Sequence, residues 1–182
     1  MTVAFLSVCA SVGFAAPDAA LWETLDIVPM PREIELTGRE LPVAGAVLVL
    51  GSESTRQDEI GAEWIRDQVV KLGGEAPEMA QAGQASEAAL RIIIGTRESN
   101  PMIEAAAQAG EIKVGPNQPG EKGYVIASRQ AGGGTELLLA GADNIGALYA
   151  CVTLSELMFA HDGTVMVHEA KVTDWPDFQH FI

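Results

Sequence analysis

The run IGALYACVTLSELMF, residues 145–159, has no polar face. Ile145, Leu148, Val152 and Ser155 lie on one side at helical spacing, and Ala147, Tyr149, Ala150, Cys151, Leu154, Leu157 and Met158 spread apolar or small groups around the rest. A helix that is apolar on every side is covered on every side. In a chain of 182 residues, 48% of them hydrophobic, there is material for one core, and a sheet can cover one side of this helix. The other side then meets a second domain or subunit, or lies sunk between sheet and loops.

The remaining elements alternate around it. ALRIIIGT, Ala89 to Thr96, is a continuous branched run, as in a strand covered on both faces. In STRQDEIGAEWIRDQVVKLGG, Ile60 and Trp64 stand four apart and Ile65, Val69 and Leu72 repeat at helical spacing, with Ser52 or Ser54 as cap and Gly73-Gly74 as stop. NPMIEAAAQAG predicts a short helix from Pro101 to Ala109, capped by Asn100 and stopped by Gly110. GYVIAS and TELLLAG flank RQAGGG as two antiparallel strands. Upstream, Pro29 and Pro31 fix an extended entry, and short strands over Glu33 to Leu36 and Ala46 to Leu50 are separated by turns at Gly38 and Gly45. The third helix spans about Asp143 to Phe159, and TVMVHEAKVTD returns as one or two strands. Gly73 to Ser86 and Val114 to Lys122 read as linkers. The order predicts an α+β fold: one mixed β-sheet with about three helices packed mainly on one face.

VAFLSVCASVGFAA, Val3 to Ala16, is apolar and breaks at Pro17-Asp18. It has the form of the apolar region of a secretory signal cleaved near Ala15 or Ala16, although no Lys or Arg precedes it. It falls short of the roughly 20 apolar residues that span a bilayer. The expected organisation is a signal peptide over 1–16, a leader or linker over 17–26, the α+β domain over 27–178 and an exit segment over 179–182. Such a chain is exported to the periplasm or the outside of the cell. Removing the leader takes Cys9 and leaves Cys151 alone, so no structural disulfide is expected, and Cys151 reads as a buried core thiol.

Chemistry is sparse. A net charge of -14 excludes nucleic-acid and anionic-membrane roles, since phosphate binding needs clustered Lys and Arg. GADNIG, Gly141 to Gly146, follows a strand and opens a helix, but lacks the Lys and Ser or Thr of a phosphate loop, so Asp143 or Asn144 reads as a helix cap. Glu63 and Asp67 share a helix face, with Arg66 and Lys71 at ion-pair spacing. His161, His168 and His180 form no metal-ligand spacing. Neither a metal nor a cofactor is expected.

VPMPREIELTG, GYVIAS, LLLAGADNIGALYACVTLSEL and finally VTDWPDF occur in this order. Together they resemble the N-terminal, non-catalytic domain that precedes the barrel in bacterial family 20 glycoside hydrolases, the β-N-acetylhexosaminidases, over Ile27 to Phe178. Related accessory domains precede the barrels of family 84 and the α-glucuronidases. The resemblance implies an α+β layer resting its helices on a catalytic (β/α)8 barrel, in cis or in trans. In that family the Asp-x-Pro-x-Phe exit leads after two residues into Arg-Gly. Here Asp174, Pro176 and Phe178 match, and Phe181-Ile182 stand where Arg-Gly would be. The Asp-Glu pair of substrate-assisted hydrolysis would lie in the barrel, so no catalytic residue is expected in this chain. A docking face made of Tyr149, Cys151, Leu154, Met158, Trp175 and Phe178 is the expected contact with that barrel. The other reading is a stand-alone carbohydrate-binding module for chitin or peptidoglycan sugars, with Trp22, Trp64 and Trp175 as candidate platforms. In that reading Trp64 lies on the core-facing stripe and Trp175 is the exposed one.

Overall fold

A computed structural model of the chain describes residues 25, 27–85 and 87–176. Among them, eight strands form one mixed sheet: β1 (Glu33–Pro42), β2 (Val47–Leu50), β3 (Glu78–Gln81), β4 (Leu90–Thr96), β5 (Tyr124–Ala131), β6 (Gly134–Gly141), β7 (Met158–His161) and β8 (Thr164–Asp174). The helices are α1 (Arg56–Lys71), α2 (Pro101–Gln108) and α3 (Asn144–Glu156). In space the strands run β1-β8-β5-β6-β4-β2-β3, with β7 beside β8. The β6-β4-β2-β3 half is parallel and the β1-β8-β5-β6 half antiparallel. This is the α+β architecture expected from the sequence. The leader 1–16, most of 17–26, Cys9, Trp22, Phe178, His180 and the exit 179–182 lie outside the described residues.

Period-2 alternation splits the core in two. Leu48, Leu50, Ile92, Ile94, Ile126, Leu137 and Leu139 face α1 and α3. Val47, Val49, Ile93, Leu138 and Ala140 face α2, which contributes Ile103 and Ala106. Two helices on the first face and one on the second fit helices packed mainly on one side. Asn100 caps α2 through the Met102 N–H (3.0 Å), while its amide donates to the carbonyls of Val49 and Ile94, so a fully buried cap also ties the helix to two strands.

Several local expectations need correction. Gly38, at φ +79°, sits in a register shift between Leu36 and Glu40, so β1 continues through a bulge where a turn was expected. Thr55 takes the capping role expected of Ser52 or Ser54: its hydroxyl accepts from the Asp58 N–H, and the Asp58 carboxylate accepts in return from the Thr55 N–H. Met158 and Phe159 leave the third helix for β7. β3 falls inside the expected linker 73–86, an edge strand whose EMAQ has no apolar alternation to mark it. The hairpin strands run on into RQA and turn on Gly132-Gly133, both at positive φ.

Trp64 is 52% exposed, which overturns its place on a core-facing stripe. The buried side of α1 is instead Asp58, Gly61, Ala62, Ile65 and Val69. Small residues bring α1 against α3 so closely that a Cβ on Gly61 would stand 2.7 Å from Cys151 Sγ. Arg66 does not pair with Glu63. Its guanidinium donates to the Pro77 carbonyl (3.0 Å), tying α1 to the segment before β3.

Along the second face of β8, Glu169 is buried and accepts from the Thr37 hydroxyl (2.7 Å) and Arg39 (3.2 Å). Burial works to raise its pKa, but hydrogen bonds from Thr37 and Ser128 and the Arg39 charge outweigh it and hold the carboxyl below its ordinary value. On the same face Glu136 is held by Arg91 (2.7 Å) and Arg129 (2.6 Å).

Gly61→Ala should destabilise the domain by about 1–3 kcal/mol through overpacking, although alanine is the better helix former by about 1 kcal/mol. In a Cys151→Ala background the loss should shrink by at least half, read from urea unfolding of the four chains of the cycle. An equal loss in both backgrounds would rule out the Gly61–Cys151 contact as its cause. Glu169 has a depressed native pKa, so its contribution is present above the unfolded glutamate value of about 4.3 and disappears as pH falls through the native one. The stability gap between the native chain and Glu169→Gln should therefore be widest near neutrality and close in acid; a gap independent of pH contradicts the assignment.

Candidate docking site

The turn from β6 into α3 is built by close approach. A Cβ on Gly146 would run into the Gly123 carbonyl, and one on Gly141 into the Ala147 amide. Asp143 accepts from the Gly146 N–H (2.9 Å) and from the Lys122 N–H (2.7 Å). Both carboxylate oxygens are thus used, one to cap α3 and one to fix the loop before β5, and GADNIG is a packing and capping device.

That arrangement leaves one side of α3 beside the chain's entry and exit. Tyr149 (43% exposed), Val152 and Glu156 succeed one another at i, i+3 and i+7, and together with Val28, Pro29 and Pro176 they border a cleft of about 350 Å³. Val28 is 76% exposed. At its base the Tyr124 hydroxyl and the Thr153 hydroxyl share a 2.6 Å hydrogen bond. Burial pushes the Tyr124 phenol up, so it stays neutral and serves as a fixed dipole. The cleft thus offers apolar side chains, with Lys122, Glu156 and Asp174 also in its lining, around a hydrogen-bonded polar floor. Exposed apolar groups gathered in this way suit packing against a neighbour.

The six residues expected on the docking face are scattered. Tyr149 borders the cleft. Cys151, Leu154 and Met158 are buried in the domain's own first core, where α1 covers the side of α3 that the sheet does not. Trp175 turns the other way: Asp174 lies opposite Tyr124 and Thr173 opposite Val125, so alternation sends Trp175 to the second face of the sheet. Phe178 lies outside the described residues. Val28 and Val152 were not anticipated; the i, i+3 step from Tyr149 was the signal for Val152, and nothing local distinguishes Val28.

The other candidates stay apart. Burial, and then the negative charge of Asp58, push the Cys151 thiol up and away from thiolate chemistry. His168 stacks on Phe159 at 4.3 Å, and His161 is exposed at the end of β7. Among the described residues no group of three His, Cys, Asp or Glu could hold a metal, and no helix is long and apolar enough to cross a membrane.

Residues 24–175 match the family model of glycosyl hydrolase family 20, domain 2. A comparison with curated protein sequences gives no match. Among solved structures, a Flavobacterium johnsoniae chitobiase is 17% identical with a TM-score of 0.57, over 86% of this chain and 22% of that one. CpGH84D is 14% identical with a TM-score of 0.63, over 85% of this chain and 24% of that one. A family 20 exo-β-N-acetylglucosaminidase from Vibrio harveyi is 13% identical with a TM-score of 0.51, over 85% of this chain and 19% of that one. The likeness to these structures is one of fold, and the chain spans under a quarter of each. By the family match over most of its length, the chain belongs to the domain 2 family of the family 20 glycosyl hydrolases, as their non-catalytic domain.

Proposed function

We propose that this domain is the accessory part of an exported β-N-acetylhexosaminidase-like glycoside hydrolase, and that it stabilises a catalytic (β/α)8 barrel by seating the cleft beside α3 against it. The observation that carries this reading is the convergence of Val28, Tyr149 and the exit residues Asp174 and Pro176 on one cleft. Exposed apolar side chains grouped where the chain enters and leaves the domain are suited to a neighbour attached through that exit. The contact is modest, because most of α3 is already covered by α1. This domain's role is therefore to position and stabilise the barrel through that joint, with hydrolysis left to carboxylates outside this chain. The apolar run Val3 to Ala16 supports export.

Reading the codons beyond Ile182 should reveal an Arg-Gly barrel start followed by an Asp-Glu pair, and their absence in all three frames overturns attachment in cis. With that barrel expressed alone, Tyr149→Asp should weaken its association with this domain about tenfold or more. The same substitution should change the domain's own unfolding free energy by less than about 0.5 kcal/mol, as for other surface positions. Unchanged association would move the docking face elsewhere.

A further inference from the structure

The second face of the sheet is only half covered. α2 lies over β2, β4 and β6, and beyond it the face formed by β1, β8 and β5 opens as a groove of about 540 Å³. Its floor is apolar and low, with Val125 and Ala127 from β5. Around that floor stand Lys113, Lys171, Glu33, Asn117, Gln118 and Trp175.

The charges of this face sort into two groups. Glu169, Glu136 and Glu111 are each engaged by an arginine, at 3.2 Å, 2.6 Å and 2.7 Å. Lys113, Lys171 and Glu33 have no ion-pair or hydrogen-bond partner among the described residues, and the same holds for the carboxamides of Asn117 and Gln118. Unengaged donors and acceptors of both signs therefore ring an apolar floor. At one end the Trp175 indole is partly exposed and held by the Arg32 guanidinium, 4.9 Å from the ring centre. Arg32 also donates through Nε to the Trp175 carbonyl (3.0 Å) and through its N–H to Asp174 (3.2 Å), so the indole is fixed before any ligand arrives.

From this we infer that the groove over β1, β8 and β5 binds a neutral glycan chain, one sugar ring lying against Trp175 and its hydroxyl and acyl groups meeting Lys113, Lys171, Asn117, Gln118 and Glu33. A pyranose has an apolar C–H face and a rim of groups that both donate and accept, which matches an indole beside mixed polar side chains. An anionic ligand would gain Lys113 and Lys171 but also meet Glu33, and Glu35 two residues along the same face, so the rim favours neither sign of charge. A peptide adding as a strand would be directed to the outer edge of β1, away from the groove floor, because β8 is laddered to β1 on one side and, over Val172 to Asp174, to β5 on the other. The groove lies on the sheet face opposite the α3 cleft, so it remains open whether or not a barrel is docked there.

The test titrates the full chain with chitohexaose and cellohexaose, and with a galacturonic acid oligomer as the acidic arm, by calorimetry and tryptophan fluorescence. Saturable binding of at least one neutral oligomer is expected, with the acidic one weaker. Trp175→Ala should weaken it about tenfold, while Trp175→Phe, which keeps a flat ring, should retain most of it. Lys171→Ala should weaken it several-fold with the circular dichroism spectrum unchanged. No saturable binding, binding of the acidic oligomer alone, or binding indifferent to Trp175→Ala with the chain folded would each overturn the proposal.

Discussion

β4 and β6 have no solvent-facing side, and the rest of the domain is arranged to satisfy that. Ile92 and Ile94 point to one layer and Ile93 to the other; Leu137 and Leu139 do the same against Leu138, all at 1% exposure or less. Each direction needs a cover of its own. At about 1.5–3 kcal/mol per fully buried aliphatic side chain, leaving either layer uncovered would erase a stability of the size domains possess. α1 and α3 supply one cover and α2 the other, and the parallel connections that place helices beside β2, β4 and β6 follow from the same need. The strands outside this centre, β5, β8 and β1, bury their first face and leave part of the second open.

This division explains what the sequence made legible. ALRIIIGT carries two-sided burial in its composition, and the Asn100-Pro101 pair marks a helix start through capping and a preset φ, so both were readable without neighbours. The apolar helix was readable as an element but its cover was not. The partner is α1, and α1 presents Gly61 and Ala62, residues too small to register as an apolar stripe, while Trp64 and Ile60 at the conspicuous spacing turn outward or to the side. Close helix packing selects for what is absent from a side chain, and a periodicity count weighs only what is present.

The same limit applies to the docking face. A helix apolar all round does not by itself separate cover within the domain from cover by a partner: Cys151 and Leu154 are covered within the domain, while Tyr149 is 43% exposed. What remains on the surface is a narrow band from Tyr149 through Val152, which becomes a cleft only because Val28 and Pro176 arrive beside it. Those two residues stand about 150 positions apart in the chain. Their meeting is set by the antiparallel pairing of β1 with β8, which no local pattern in either segment encodes.

That pairing also sets the relation between the two surfaces of the domain. Along the end of β8, Thr173, Asp174 and Trp175 alternate, so Asp174 reaches the cleft beside α3 while Trp175 reaches the groove on the opposite face. Arg32 binds to both: its N–H donates to Asp174 and its guanidinium covers the indole. Because Arg32 already holds both residues, the indole needs no ordering from a neighbour in the cleft, and the two opposite-facing surfaces follow from where one strand ends.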